Sequence, residues 1–147
     1  MGQVDKAVSE LSQYLDTFYT DVEGWLELAD IYASCNQCAS SFNLAAHSAY
    51  EKHRYEYSLK SLSHTLLLSP QNPIYVLQFA ETAYTIGDLP LALKMFLMVI
   101  DMTDEDDTGS LAESTPFGIT VRAWYGVKLV CFLHVSFSFL RALTCSV

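Results

Sequence analysis

Positive charge is scarce in this chain: its 147 residues hold 8 Lys+Arg against 17 Asp+Glu, a formal net charge of −9. A nucleic-acid binder neutralises phosphates with clustered Lys and Arg, and no basic patch exists to do so. A leader is not expected either. The first 20 residues carry Asp5, Glu10 and Asp16 and no apolar run, so no signal peptide is expected and the thiols are expected to stay reduced. The four cysteines, at 35, 38, 131 and 145, then form no disulfide framework. Motifs for chemistry are absent too: there is no Gly-rich phosphate loop, no G-x-S-x-G and no His-x-x-x-His. Serines, acids and histidines never fall in a spacing that specifies a triad, so no catalytic residue is assigned. What remains is 51% hydrophobic and only 17% charged, a balance that builds a core and is not that of a disordered chain.

The acid is concentrated. Residues 1–30 hold seven acids against Lys6 alone, and Asp101–Asp107 hold five acids in seven positions.

Repeats organise the rest. Trp25-x-x-Leu28-Ala29-x-x-Tyr32 fits the first helix of a tetratricopeptide (TPR) unit, with Ala29 at the site usually held by Gly. Ala92-x-x-x-Phe96 fits a second helix. Small residues let paired helices approach, and large ones fill the grooves beside them. With Trp25 at position 4 of the repeat frame, Ala7 falls at the small site of a preceding second helix, and Leu11 and Tyr14 take the next packing positions. A frame starting at Pro73 places Phe79 and Ala80 in the first helix, Gly87 at the turn, and Ala92, Phe96 and Val99 in the second. The expected fold is therefore all-α, an α-solenoid of TPR-like helical hairpins with about two and a half repeats. Its expected packing residues are Ala7, Leu11, Trp25, Leu28, Ala29, Tyr32, Phe79, Ala80, Gly87, Ala92 and Phe96.

The middle unit is irregular. Trp25 to Pro70 spans 45 residues, where the frame allows about 28. Removing 37–53 restores a normal hairpin, so a 17-residue insertion near 37–53 is expected; insertions at loops are thermodynamically tolerable. The expected organisation is a second helix at 1–21, an interrupted TPR unit at 22–72, a TPR unit at 73–104 and an acidic linker at 105–118. The start of a degenerate repeat follows at 119–130, with Trp124 at position 4, and then an apolar tail at 131–147. Arrays of so few repeats are expected to leave apolar helix faces uncovered.

Three features invite a sharper reading. Cys35-x2-Cys38-x8-His47-x5-His53 has the residue types of a tetrahedral zinc site. Its central spacer is short for a ββα finger, no strand pattern surrounds it, and it lies almost wholly in the insertion, so no metal is expected. Asp101–Asp107 lacks the alternating acids, the glycine and the closing glutamate of a calcium loop and reads as a solvated linker. Leu129–Val147 has about the length of a membrane span, but His134 and Arg141 interrupt it. A buried final helix, or sequence foreign to the mature protein, is the preferred reading. His64, alone midway along Tyr55–Leu68, reads as a packed or surface residue.

The stretches Ala7–Tyr32 and Arg54–Ile100 carry a resemblance. Glu23-Gly-Trp-Leu-Glu-Leu-Ala-Asp-Ile-Tyr, Tyr55-Glu-Tyr-Ser-Leu, Asn72-Pro-Ile-Tyr-Val-Leu-Gln-Phe-Ala-Glu and Arg122-Ala-Trp-Tyr-Gly together resemble subunit 2 of the endoplasmic reticulum (ER) membrane protein complex, in a fungal-like form. The likeness covers roughly 110 of the 147 positions. It implies a non-catalytic TPR scaffold without cofactor at the cytoplasmic face of the ER membrane. Such a scaffold would associate with the membrane peripherally, through other subunits of a complex that inserts tail-anchored and multi-pass proteins. This chain departs from that pattern in lacking the N-terminal repeats, in the 37–53 insertion and after Leu129; a truncated, mis-spliced gene model is the expectation for these departures. The alternative is a generic cytosolic TPR adaptor or co-chaperone. A groove that grips a chaperone's acidic tail needs Lys, Arg and Asn, and outside the insertion the two best repeats offer only Arg54, Lys60 and Lys94 as bases. A small zinc protein or enzyme using the insertion is the third reading.

Overall fold

A computed structural model describes the backbone of residues 2–34, 44–105 and 117–144, and the side chains of 4–34, 54–103 and 118–136. These residues form six helices and no strand: α1 (Gly2–Thr17), α2 (Val22–Ser34), α3 (Leu44–Leu68), α4 (Pro73–Ile86), α5 (Leu89–Glu105) and α6 (Phe117–Thr144). The chain divides into two compact units, Met1–Tyr75 and Val76–Val147.

Local chemistry sets the helix ends. At the start of α4 the Asn72 side chain accepts a hydrogen bond from the Ile74 amide at 3.0 Å, while Pro73 fills the first helical position, where its missing N–H costs nothing. α4 ends at Gly87, whose φ of 91° is left-handed backbone that favours glycine. The Gly87 amide donates to the Tyr84 carbonyl and the Asp88 amide to the Ala83 carbonyl, both at 3.0 Å, the paired bonds of a Schellman stop. Asp88 then caps α5, accepting from the Leu91 amide at 3.2 Å. Two residues thus end one helix and start the next.

In the first unit, α2 and α3 form an antiparallel hairpin with three rungs. Trp25 stacks on His64 at 4.5 Å between ring centroids and Tyr32 stacks on Tyr57 at 5.5 Å. Between them the buried Ser58 hydroxyl donates to the Ala29 carbonyl at 3.0 Å. Position numbers rise along one helix as they fall along the other, which is what antiparallel packing requires. Ala29 and Ser58 are both 1% exposed, so small side chains bring the two backbones together at this point. α1 packs on α2 through Leu15, also 1% exposed. At Gly24 a Cβ would lie 2.9 Å from Leu15 Cδ2, so the missing side chain makes room for that leucine.

In the second unit, Val76, Leu77, Phe79, Ala80 and Ala83 of α4 are buried, as are Ala92, Phe96, Val99 and Ile100 of α5. α6 closes on α5 through Ile119, Ala123, Gly126 and Val130, which recur at helical spacing on one face. The contact is tightest at Gly126, where a Cβ would stand 2.4 Å from Phe96 Cζ. Trp124, the residue that the frame puts at position 4, is 51% exposed, whereas Ile119 and Ala123 are 7% and 0% exposed. The inward register is therefore set by the small residues Ala123 and Gly126, because a tryptophan cannot enter so close a helix seam.

Candidate functional site

The expected packing residues occupy different depths. Leu28, Ala29, Phe79, Ala80, Ala92 and Phe96 are buried, Leu11, Trp25 and Tyr32 are half-buried, and Gly87 lies at its turn. Ala7 is exposed. Cys35, Cys38 and the side chains of His47 and His53 lie outside the described residues, as do 106–116 of the acidic linker and the side chains of 137–147. Among the described residues no group of acids, histidines and cysteines is arranged to hold a metal.

What the described residues do offer is surface for other proteins. In the second unit a cleft of about 330 Å³ is lined by Tyr84, Phe96, Tyr125, Gly126 and Leu129, with Glu81 and Arg122 at its rim. The Arg122 guanidinium grips the Glu81 carboxylate with both arms: Nη2 lies 2.7 Å from each oxygen and Nε 3.1 Å from Oε1. Arg122 and Glu81 are 60% and 39% exposed, so water screens the pair and it adds at most about 1 kcal/mol. Its effect is geometric: it holds a polar edge beside three aromatic rings. No sequence signal links these two residues, which stand 41 positions apart.

The first unit presents a second aromatic cluster. Lys60 Nζ sits 5.2 Å from the centre of the Tyr57 ring, within cation–π range, and Tyr57 in turn stacks on Tyr32. The Tyr32 phenol is raised above its usual pKa, chiefly by burial and then by Tyr57, with Arg54 acting in the opposite direction. A raised folded value means that an unfolded chain releases this proton first. The stabilisation is thus complete below about pH 10 and is lost as pH rises beyond it. Melting temperatures should fall more gently above pH 10 in Tyr32→Phe than in the parent chain; equal slopes would count against this role for the phenol.

The third feature is apolar exposure. Trp124, Tyr125, Phe132 and Val135 of α6 are 51–70% exposed. Tyr14 and Phe18 of α1 are 43% and 55% exposed, with their rings 4.9 Å apart. Exposed rings in rows, not scattered singly, mark surfaces that other proteins cover.

Comparison with known proteins fits this picture. No family model matches the chain. It is 29% identical over 108 residues to ER membrane protein complex subunit 2-A of Xenopus laevis, a match covering 71% of this chain and 31% of that protein. ER membrane protein complex subunit 2 of Xenopus tropicalis matches with the same identity and coverage. A shorter stretch of 34 residues is 59% identical to TPR repeat protein oca3 of Schizosaccharomyces pombe and covers 23% of this chain and 12% of that one. The chain thus spans about a third or less of the length of these curated relatives. Among solved structures it is similar to PcrH in complex with the chaperone binding region of PopD, with a TM-score of 0.63 at 19% identity, covering 90% of this chain and 82% of that one. That likeness shows a TPR-like all-α fold. Together with the hairpins described above, these likenesses make this chain a TPR-like helical-repeat protein.

Proposed function

We propose that this chain acts as a scaffold segment of ER membrane protein complex subunit 2. It would hold other subunits of that complex at the cytoplasmic face of the ER membrane and so support insertion of tail-anchored and multi-pass proteins. The observation that carries the reading is the 29% identity across 71% of the chain. The geometry supports it: the side chains at the described surface that stand out are aromatic rings and one rigid ion pair, the equipment of a docking protein. Among the described residues no helix is long and apolar enough to cross a membrane; in the proposed reading, attachment runs through partner subunits.

The test is to tag the chain and identify what co-purifies from detergent-solubilised membranes. Recovery of a set of integral ER subunits is the expected result; soluble chaperones alone, or nothing, would overturn the proposal. The cleft supplies a variant. Tyr125 and Leu129 are 65% and 49% exposed, so Tyr125→Asp with Leu129→Asp leaves the core intact. Interface aromatics commonly contribute about 2 kcal/mol or more, and recovery of the subunits should drop at least roughly tenfold. Undiminished recovery would remove the cleft from the docking surface.

A further inference from the structure

Hydroxyl groups along α3 are spent on carbonyls. Those of Ser58, Ser61, Ser63 and Thr65 each donate to one, Ser58 across the hairpin to Ala29 and the others within α3 itself. Ser69, just past the end of α3 at Leu68, differs. Its amide still donates to the Thr65 carbonyl at 2.9 Å, but among the described residues its hydroxyl has no partner.

Pro70 follows it. A proline disfavours α-helical backbone in the residue before it, so α3 stops here and the chain turns towards α4 through Pro70 and Gln71, both exposed. On the helix side Leu67 is 79% and Leu68 36% exposed. Ser69 itself is half-buried, so residues 67–71 form a strip of surface centred on an unspent hydroxyl. Beside that strip there is room: a cleft of about 520 Å³ is lined by Ser69, Pro70, Gln71, Asn72, Pro73 and Tyr75. Charge is favourable as well. The chain holds 17 acids, yet none lies between Glu56 and Glu81, so an anion on Ser69 would meet no carboxylate from the neighbouring sequence. A serine followed by proline in an exposed turn is the acceptor that proline-directed protein kinases take. Thr115-Pro116 is the other Ser/Thr-Pro pair of the chain and lies outside the described residues.

We propose that Ser69 is a phosphorylation site for a proline-directed protein kinase, and that its phosphate loosens the last turn of α3. In the transfer the Ser69 Oγ attacks the γ-phosphorus of ATP, its proton passes to the catalytic aspartate of the kinase, and ADP leaves. The structural effect follows from position. The last carbonyls of α3 lack intrahelical partners and form the negative end of the helix dipole. A phosphoserine there adds a charge of about −1.5 to −2, and like charges repel. The inference does not depend on the ER complex.

The experiment uses the full chain carrying Thr115→Ala, which leaves Ser69 as the one acceptor followed by proline. It is incubated with ATP and a purified mitogen-activated protein kinase, and the product is mapped by mass spectrometry. A phosphoryl group on Ser69 is the expected result. Adding Ser69→Ala or Pro70→Ala should abolish it, with helical circular dichroism verifying that both variants fold. No phosphate on Ser69 in the starting chain overturns the site. So does full incorporation in Pro70→Ala, which would mean that the proline does not direct the kinase. Hydrogen exchange reads the structural effect: the Leu68 and Ser69 amides should exchange about two- to fivefold faster in the phosphorylated chain, the factor that a charge at a helix end supplies. Unchanged or slower exchange overturns the loosening.

Discussion

Gly126→Ala is expected to destabilise the second unit by about 1–3 kcal/mol, the ordinary cost of forcing a methyl group into a filled core. Helix propensity predicts the opposite sign, since alanine gains about 1 kcal/mol over glycine in a helix interior. Packing wins because the new Cβ would fall 2.4 Å, 2.5 Å and 2.7 Å from three atoms of the Phe96 ring. A ring cannot fold away as the tip of a leucine can, and Phe96 is only 2% exposed. Truncating the ring separates the two effects. Phe96→Ala alone should cost about 3–5 kcal/mol, but Gly126→Ala added to it should cost nothing and recover the propensity gain. The coupling between the two sites in urea unfolding should therefore exceed about 1 kcal/mol. Additive losses would show that the glycine serves something other than the approach of α5 and α6.

The second large effect is local. Leu15→Ala should cost about 2–5 kcal/mol, because Leu15 is the fully buried side chain by which α1 sits on α2. An ion pair from α1 to α3, Asp5 to Arg54 at 3.9 Å, has its aspartate 71% exposed and cannot hold the helix alone. Hydrogen exchange is the measurement that checks this. Amides of α1 should lose protection while those of α2 and α3 keep theirs, a sub-global opening of the kind seen where few apolar contacts tie an element down. Uniform loss across all three helices would mean that the first unit unfolds as one piece.

Much of the architecture was legible before any coordinates. Trp25, Leu28, Ala29 and Tyr32 share one helix face by spacing alone, and the repeat frame puts a unit's start at Pro73 and its turn at Gly87, whereas the caps at Asn72 and Asp88 were not read from it. Less could be read about partners. Nothing in Trp25 or Tyr32 names His64 or Tyr57, because the extra residues between them break the repeat frame that would have aligned the two helices. Trp124 drew the eye as the large residue of a repeat, yet seams between helices are set by where side chains are smallest. Ala123 and Gly126 are inconspicuous in a sequence, and their depth emerges only when Phe96 is placed against them. The cleft was legible in part: Phe96 follows from the frame, whereas the grip of Arg122 on Glu81 joins positions too distant for any spacing rule.

Ser58 carries a mechanical consequence. Apolar helix faces tolerate sliding, since one greasy contact replaces another at little loss. A hydroxyl directed at a single carbonyl does not. Shifting α2 along α3 by one turn, about 5.4 Å, would strand the Ser58 oxygen in a dry seam and cost about 1–3 kcal/mol before the rings on either side are counted. Under tension along its helix axes the first unit should therefore yield by abrupt rupture and not by gradual creep. A scaffold built from such hairpins transmits displacement from one attached protein to the next as a stiff strut, without absorbing it as a cushion.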